Sequence, residues 1–560
     1  MIKPSLKANH QHVKMSLPEF PLNVAEEIKE EIESWYSTYV YEKLAEKDPN
    51  NIWVKIGETI DFSPVEAACE EYHKRTSGKN VPHKVKQMVR ALFVKYMLGT
   101  SVRMAAERIQ YDMQIKRFVG YELHDNGCHY STLSRFDQWV QENKPRIYFD
   151  TVLKEVDKRY GKQEREKIQL ADTFAVEANA AKVSLVKLLR EMGERLIIIG
   201  AVTNECAEGE LWSKVDKKEL FGEANETHWS KLKAEERNER LFKTVCGALA
   251  CQKVVEKLPI QKKALLARLK QLKKILSDEF AITYNDAGKV IEVERLPKNK
   301  RGEYRIGSAV DPEATYREHG KGKSTFGYNA SVAVTDEFVR EARVDTGATP
   351  DAKPIPSLLE AQKEHHDHLP EKLIYDKAAG DGKTASLVHK VTDGKTQLVA
   401  EMRDYGKNSK QFTPSDFHYD KENKTLTCPN GQTSSSYSFH HSGSGLSFRF
   451  PRKKHGCETC PLFQGCYKKT KTQTRRTVFI SFHFDFFLLA VAYMTCDQFR
   501  HEMRQRNHVE RIISALVNHN DARRARGRGT AATDFQIKMA ASTYNTKKLL
   551  CKIQIDLPLG

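Results

Sequence analysis

Apolar and polar residues alternate along residues 169–177, and this alternation predicts a β-strand. Leu170, Asp172, Phe174 and Val176 fall on one side of that strand. A carboxylate among apolar neighbours costs free energy unless it is paired or binds a cation. Asp172 is therefore the first candidate functional residue, and a salt bridge to a buried lysine is the alternative explanation for it.

Helical periodicity dominates residues 60–143. An apolar face over 85–97 ends at Gly99, and Ser101 and Ser131 are the predicted N-caps of two short helices that follow. Short capped helices of this kind favour a helix-turn-helix-like DNA-binding unit, and a helical bundle with a solvated basic face is the alternative. The basic residues of this region are Arg103, Arg108, Lys116, Arg117 and Arg135.

A long, charged helical region is predicted at about 229–280. Leu265, Leu269, Leu272 and Leu276 recur in it at i, i+4, i+7 and i+11, which predicts a narrow apolar stripe in a helical hairpin. The simplest interpretation of this region is an insertion that serves as scaffold.

Strand and helix signals alternate after this region, and the order favours a mixed sheet covered by helices. The predicted elements are a strand hairpin (326–334 and 338–344), a helix (355–364), a strand (372–376), a helix (383–391) and a strand (396–401). Asp376 directly ends its strand, and Asp381 in the same loop is the competing acid. If the first and fourth strands are neighbours, Asp172 and Asp376 face one site.

The pattern from Asp485 to Val517 predicts one helix, or two helices end to end. This stretch carries Arg506 and Glu510 at i, i+4 on one face, with Glu502 as a competing acid. A glycine-containing basic loop then precedes a closing helix over 544–550, and such a loop is suited to a phosphate backbone. The arginines of the loop are Arg523, Arg524, Arg526 and Arg528.

The chain has 560 residues, too many for one ordinary core, and a net charge of +17. This charge favours a polyanionic partner such as nucleic acid, although a basic protein without such a partner is the alternative. The predicted units are an N-terminal segment (1–55), a helical DNA-binding domain (56–160), an α/β domain in three parts (161–225, 291–411 and 477–560), a helical insertion (226–290) and a cysteine-rich insertion (412–476).

The first residues of the chain lack the apolar core of a signal peptide. His483 and Asp485 interrupt the most apolar run, which extends from Thr477 to Met494. We therefore expect no membrane span and a cytoplasmic protein.

The eleven cysteines are expected to be reduced thiols, with one metal site among them. Cys428, Cys457, Cys460 and Cys466 fit tetrahedral zinc, and free thiols are the alternative. A closed four-thiolate site has no open position for catalysis, so zinc would hold a small insertion together. His365, His366 and His368 also suggest a metal site, for which a solvated helix end is the preferred interpretation.

Three carboxylates from distant parts of a basic protein, Asp172, Asp376 and Glu510, indicate phosphodiester chemistry with two divalent ions. Carboxylates are hard oxygen ligands that suit Mg²⁺. Two ions about 4 Å apart activate the attacking oxygen and stabilise the leaving one, so the protein needs no nucleophile of its own.

Several motifs, in this order, resemble those of DDE transposases from bacterial insertion sequences. They are Leu170-Ala-Asp-Thr173 with Glu177-Ala-Asn179, Asp311-Pro-Glu-Ala314 leading to Gly327-Tyr-Asn329, Ile374-Tyr-Asp-Lys377, and Arg506-x-x-x-Glu510-Arg. The helical block 85–139 resembles the N-terminal domain of the same group, and a cysteine insertion also occurs among its members.

The resemblance implies an RNase H-like catalytic domain in which Asp172, Asp376 and Glu510 bind two Mg²⁺ or Mn²⁺ ions. It implies an enzyme that binds the terminal inverted repeats of its element as a homodimer, cleaves DNA at the ends and joins the 3′-hydroxyls to target DNA. Arg506 would contact DNA near the cleaved end. The other expected DNA contacts are Arg511, Arg523, Arg524, Arg526, Arg135 and Arg103.

The chain departs from this family at two positions of the last motif. Met503 stands where the family has Tyr, and Val517 where many members have Lys, so the phosphate contacts of those side chains are not transferred. The long gap between Asp172 and Asp376 also requires the helical insertion to lie outside the sheet.

Two other functions remain open. One is a transposase-derived DNA-binding regulator that does not cut, and the other is a metal-dependent nuclease without strand transfer. The presence of all three acids favours the enzyme over the regulator. Strand transfer to target DNA distinguishes the transposase from the nuclease.

Overall fold

The computed structural model describes residues 22–74, 83–223, 226–318, 322–403, 411–466 and 474–556. By its internal contacts the chain divides into two units, residues 1–138 and 139–560. The helices are α1 (Leu22–Lys47), α2 (Ile52–Thr59), α3 (Ser63–Lys74), α4 (Val85–Met97), α5 (Val102–Tyr111), α6 (Met113–Val119), α7 (Tyr130–Asn143), α8 (Ile147–Arg165), α9 (Leu185–Asn204), α10 (Glu208–Trp212), α11 (Lys217–Phe221), α12 (Ala234–Glu256), α13 (Lys263–Glu279), α14 (Ile355–His366), α15 (Gly382–Val391), α16 (Phe463–Cys466), α17 (Phe484–Tyr493), α18 (Asp497–Arg504), α19 (Asn507–His519) and α20 (Thr530–Asp556).

Strands occur in the second unit only, among the residues described. They are β1 (Gln169–Glu177), β2 (Phe280–Tyr284), β3 (Val290–Arg295), β4 (Thr315–Glu318), β5 (Ser324–Val334), β6 (Val339–Thr346), β7 (Lys372–Ile374), β8 (Gln397–Val399), β9 (His418–Asp420), β10 (Thr425–Thr427), β11 (Thr433–Ser434), β12 (Tyr437–Phe439), β13 (Gly445–Pro451) and β14 (Arg475–Ser481).

The first unit is organised around α4, whose residues are buried along almost its whole length. The predicted cap of α5 is confirmed, because the Oγ of Ser101 accepts the N–H of Met104 at 3.2 Å. The predicted cap of α7 is wrong. That helix begins at Tyr130, and the Nδ1 of His129 accepts the N–H of Ser131 at 3.3 Å, so Ser131 lies inside the helix.

The main sheet of the second unit has six strands in the order β4-β5-β1-β7-β8, with β6 also paired to β5. Strand β1 is antiparallel to β5 and parallel to β7, which in turn is parallel to β8. The predicted mixed α/β class is confirmed, and so is the expectation that the first strand and the strand before Asp376 are neighbours. The sequence patterns missed the short edge strand β4.

Helices cover the sheet and define its two faces. Ala171, Leu373 and Tyr375 share a hydrophobic core with Ile355 and Leu359 of α14. Because successive side chains of a strand point to opposite faces, Asp172 belongs to the face away from α14. Helix α19 contacts β1.

A separate hydrophobic core joins helices α9 to α13, between β1 and β4 in sequence. The predicted leucine stripe is confirmed, since Leu265, Leu269, Leu272 and Leu276 are all buried on α13. The hairpin of β2 and β3 that follows α13 was not predicted. Most of its residues are exposed, so it lacks the one-sided apolar pattern that marks a half-buried strand.

Residues 411–481 contain two three-stranded sheets, one of β9, β10 and β11 and one of β12, β13 and β14. Their core includes Phe448 and Val478 and extends to Phe484 and Phe487 of α17. Helix α17 also contacts α15, which begins shortly after Asp376. These small sheets are therefore attached next to the loop that carries Asp376.

The C-terminal helices differ from their prediction. Residues 485–517 form three helices, α17, α18 and α19, instead of one or two, and the closing helix α20 is far longer than the predicted 544–550. The chain turns at Gln505 and Arg506, so Arg506 occupies the N-cap position of α19. None of the described helices is long and apolar enough to cross a membrane.

Gly327 lies at the closest approach of β5 to the end of β1. A Cβ atom there would stand 2.0 Å from the carbonyl oxygen of Val176, so one strand must move to admit it. We expect Gly327→Ala to lower the free energy of unfolding by about 1–3 kcal/mol, as overpacking does. Denaturant unfolding measures this change.

The matched control is Gly209→Ala in α10, where an added Cβ meets nothing within 4 Å. We expect this variant to stay within about 1 kcal/mol of the wild type. Identical unfolding curves for Gly327→Ala and the wild type would contradict the prediction.

Candidate active site

Asp172 lies in the middle of the central strand β1 with its side chain 17% exposed. Its Oδ1 accepts the backbone N–H of Thr173 at 2.7 Å, and its Oδ2 accepts Nη2 of Arg506 at 3.1 Å. Burial raises the pKa of the Asp172 carboxyl, the bonds from Thr173 and Arg506 lower it, nearby Asp376 raises it, and the net shift is upward. The positive charge that pairs with Asp172 is thus an arginine, Arg506, and not a buried lysine.

Asp376 stands beside Asp172 because of the strand register. Leu170 of β1 pairs with Ile374 of β7 in parallel, and each aspartate follows its paired residue by two positions. Parallel strands present equivalent positions at the same end of a sheet. The Oδ1 of Asp376 also accepts the N–H of Ala378 at 2.8 Å, which fixes the turn after the strand.

Glu510 reaches the same region from the first turn of α19. Nη2 of Arg506, the atom that binds Asp172, lies 3.9 Å from Oε1 of Glu510. The Glu510 side chain is 60% exposed, so it faces solvent on the open side of the pair. The guanidinium group of Arg506 therefore lies between Asp172 and Glu510. The third predicted acid, Asp376, is the strand neighbour of Asp172.

The competing acids have structural partners of their own. Asp381 caps α15 by accepting the N–H of Thr384 at 2.8 Å. Glu502 is buried and accepts Nζ of Lys372 at 2.6 Å. Glu177 is exposed, and its backbone bonds residues of the loop that follows α19.

The three acids match the donor set of a divalent-ion site. All are carboxylates, which suit a hard divalent cation. Arg506 pairs with Asp172 and lies 3.9 Å from Glu510, and Asp376 is near enough to act on the pKa of Asp172. Among the described residues, the ligand atoms of these three acids do not all lie within 4.8 Å of one another. The sulfur and nitrogen donors that favour other metals are not part of this group.

A tighter acidic cluster lies elsewhere. Among the described residues, three possible ligand atoms within 4.8 Å of one another are found on Glu164, Asp336 and Glu337. Nζ of Lys167 lies 2.7 to 2.9 Å from all three side chains, and Lys552 also pairs with Glu337. Because two lysines already neutralise these acids, this cluster is an ion-pair network that joins structural elements.

The arginines predicted to bind DNA are largely exposed. Arg511, Arg523, Arg524 and Arg526 are exposed near the C-terminus, and Arg103 and Arg135 are exposed in the first unit. Arg103 also lies over the ring of Tyr130, 4.5 Å from its centroid.

Lys116 does not belong to this set. It is buried, and its Nζ donates to the carbonyl oxygens of Leu123 and Asp125 at 3.0 and 2.8 Å. This lysine satisfies carbonyl groups inside the first unit, so the expectation of a solvated basic residue there is wrong.

The four cysteines Cys428, Cys457, Cys460 and Cys466 line one cleft. Burial and, to a lesser degree, the other three cysteines raise the pKa of the Cys466 thiol to about 11, although Arg476 acts in the opposite direction. The other three thiols are thus close enough to Cys466 to disfavour its ionisation. Among the described residues, no three of their sulfurs lie within 4.8 Å of one another.

One histidine at the end of α14, His366, differs from the expected solvated helix end, whereas His365 is exposed. The side chain of His366 is only 5% exposed, and its Nε2 lies 3.3 Å from Nη2 of Arg146. Burial, followed by the charge of Arg146, lowers the pKa of His366 to about 3, so the ring is neutral. His366 is a packed core residue.

Sequence reasoning missed the role of the Asp311-Pro-Glu motif. Asp311 is buried, and its carboxylate accepts the hydroxyl of Tyr328 and the N–H of Gly529. Glu313 accepts the N–H and the hydroxyl of Thr530, both at 2.6 Å. The signal was the motif itself, but nothing in the sequence indicated that Gly529 and Thr530, more than 200 residues further along the chain, are its partners.

Two segments of the chain match known protein families. Residues 42–139 match a family described as a transposase domain, and residues 427–550 match one described as a transposase DDE domain. The first segment covers most of the helical first unit, and the second includes Arg506 and Glu510. No curated protein and no solved structure matches the chain.

Proposed function

We propose that this chain, which its two family matches identify as a DDE-type transposase, binds the terminal inverted repeats of its element, hydrolyses DNA at the ends and joins the freed 3′-hydroxyls to target DNA. The observation that carries the proposal is the parallel pairing of β1 with β7, which brings Asp172 next to Asp376. Arg506 links this pair to Glu510.

The catalytic domain is proposed to be RNase H-like. The support is a mixed sheet whose central strand has an antiparallel neighbour on one side and a parallel neighbour on the other. Asp172 lies on that central strand, and Asp376 follows the end of the parallel neighbour. Helices α9 to α13 form their own core outside the sheet, which accounts for the long gap between the two aspartates.

Asp172, Asp376 and Glu510 are proposed to hold two Mg²⁺ or Mn²⁺ ions. When bound, such ions activate the attacking oxygen and stabilise the leaving oxygen of a phosphodiester. The chain supplies fixed positions for the two aspartates, because Asp172 is held by a strand and Asp376 by the turn it caps. The exposed Glu510 is the ligand contributed by helix α19.

Arg506 is proposed to change partners when DNA and metal bind. In the metal-free protein it neutralises Asp172, whose charge is otherwise costly at 17% exposure. Once bound ions compensate the carboxylates, its guanidinium is available to a DNA phosphate, for which the planar fork of arginine is suited.

The remaining DNA contacts are proposed for Arg511, Arg523, Arg524 and Arg526 in the second unit and for Arg103 and Arg135 in the first. Their exposure and the net charge of +17 support this assignment. A homodimer on DNA is proposed as well, since an element has two ends to be joined.

The segment of the two small sheets is proposed to be a cysteine-rich insertion that holds structural zinc. The support is the common cleft lined by Cys428, Cys457, Cys460 and Cys466. Zinc stabilises thiolates, so it would offset the cost of ionising the Cys466 thiol, and the loops would move to bring the four sulfurs to bonding distance.

Removing any member of the triad is expected to abolish cleavage and to leave DNA binding nearly intact. Asp172→Ala, Asp376→Ala and Glu510→Ala should each lower the cleavage rate by about a thousandfold or more, because each removes a ligand whose ions supply several kcal/mol of transition-state stabilisation. The measurement is cleavage of a labelled duplex that carries the element's end, with Mg²⁺ and with EDTA.

The control for this series is Asp381→Asn, which alters an acid in the same loop that caps α15. It should cleave at close to the wild-type rate. Full cleavage by any one of the three alanine variants would remove that residue from the triad, and binding without cutting by the wild type would favour the regulator.

The purified protein is expected to contain about one zinc ion per chain, as a four-thiolate site requires. Cys457→Ser should lose that zinc, whereas Cys496→Ser, an exposed cysteine outside the cluster, should retain it. Metal analysis by mass spectrometry measures both. A zinc-free wild-type protein would contradict the proposal.

A further inference from the structure

The arginine loop, residues 521–529, joins α19 to α20 and is held along its backbone. The N–H of Glu177 donates to the carbonyl of Arg523 at 3.0 Å, and the N–H of Ala525 donates to the carbonyl of Glu177 at 2.8 Å. The loop is thereby attached to the end of β1 like a short additional strand. Asn179 adds a bond to the carbonyl of Arg526 at 2.7 Å.

A buried glutamine, Gln536, forms hydrogen bonds to the backbone of the loop. Nε2 of Gln536 donates to the carbonyls of Asp521 and Arg524 at 2.6 and 2.9 Å, and its Oε1 accepts the N–H of Arg526 at 2.8 Å. Gln536 is 3% exposed, so these three bonds are protected from water. The backbone of the loop is thus held at its first residue and in its middle.

The end of the loop is held by the two acids of the Asp311-Pro-Glu motif. The N–H of Gly529 donates to Oδ1 of Asp311 at 3.2 Å and to the hydroxyl of Tyr328 at 2.8 Å. Gly529 has φ +86°, a left-handed conformation that favours glycine. Glu313 then caps α20 by accepting the N–H of Thr530 at 2.6 Å.

The side chains of the loop contrast with this fixed backbone, because Arg523, Arg524, Arg526 and Arg528 are all exposed. Arg526 pairs with Asp521 inside the loop, and the other three guanidinium groups repel one another, so a free loop would spread them apart. A loop whose backbone is already ordered loses little conformational entropy when its arginines meet a phosphate backbone.

We infer that Asp311, Glu313 and Tyr328 are positioning residues that preorganise the arginine loop as a phosphate-backbone clamp. The inference rests on the proposed function, since it names how that function's DNA contacts are held in place. It also assigns the two acids of this motif to the DNA-binding surface, because both carboxylates accept N–H groups where the arginine loop meets α20.

The sign of one substitution tests this inference. Glu313 is an acid beside a DNA-binding loop, so by charge alone its removal would strengthen DNA binding. If Glu313 instead holds the arginine loop in place, its removal would weaken DNA binding. Glu313→Ala and Glu313→Gln remove the same charge, but glutamine keeps an oxygen that accepts the N–H of Thr530. The pair therefore separates the two effects.

The experiment is fluorescence anisotropy of a labelled inverted-repeat duplex with the full-length protein over a range of salt concentrations. We expect Glu313→Ala to bind about tenfold more weakly with a salt slope smaller by about one, as loss of one phosphate contact requires. Glu313→Gln should bind at least as tightly as the wild type. Glu318→Ala, which removes an exposed acid at the end of β4, is the charge-matched control and should not weaken binding.

Tyr328→Phe serves as the second variant if Glu313→Ala does not fold. It keeps the buried ring and loses only the hydroxyl that accepts the N–H of Gly529, and it should weaken binding in the same manner. Thermal unfolding of each variant checks that the fold is retained.

The outcomes separate this inference from the proposed function. Binding by Glu313→Ala that equals or exceeds that of the wild type overturns the inference, and so does wild-type affinity in Arg524→Ala. In both cases metal-dependent cleavage by the wild type would still support the proposed function. A wild type that neither binds nor cuts the duplex overturns both.

Discussion

The parallel pairing of β1 with β7 is the constraint on which the rest of the candidate site depends. It aligns Leu170 with Ile374, so that Asp172 in the middle of β1 and Asp376 just past the end of β7, each two positions further on, lie side by side. A shift of one residue in this register would turn one aspartate to the face covered by α14. The cores around the sheet therefore act on function indirectly, because they fix the register that brings the two carboxylates together.

The second feature of the site is the free-energy cost of burying the Asp172 carboxylate within a strand. Burial raises the pKa of Asp172, and Arg506 offsets part of that cost from the turn between α18 and α19. The tighter acidic cluster at Glu164 has lysines in the same role, but there the charges are already balanced. The candidate site differs because its three acids have a single arginine as partner and because Glu510 is exposed to solvent. Additional positive charge is therefore favourable there.

The sequence indicated much of this arrangement and failed where contacts are long-range. Period-two alternation identified β1, strand signals on either side of a tight turn identified β5 and β6, and the leucine spacing identified α13, because local residue patterns carry these elements. The break before Arg506 was missed, since residues 504–508 contain no proline or glycine to mark a turn. Gly529 and Thr530, the partners of Asp311 and Glu313, were missed because they lie more than 200 residues further along the chain. Lys116 and His366 were misassigned because residue type suggests exposure, whereas their neighbours bury them.

The most direct test of the metal site is to replace Mg²⁺ by Fe²⁺ and generate hydroxyl radicals with ascorbate and peroxide, which cut a polypeptide next to the bound ion. With end DNA present, the account predicts cuts close to residues 172, 376 and 510, and their loss in Asp172→Asn. Cuts close to residues 164 and 336 instead, unchanged in that variant, would contradict it and move the metal to the acidic cluster at Glu164.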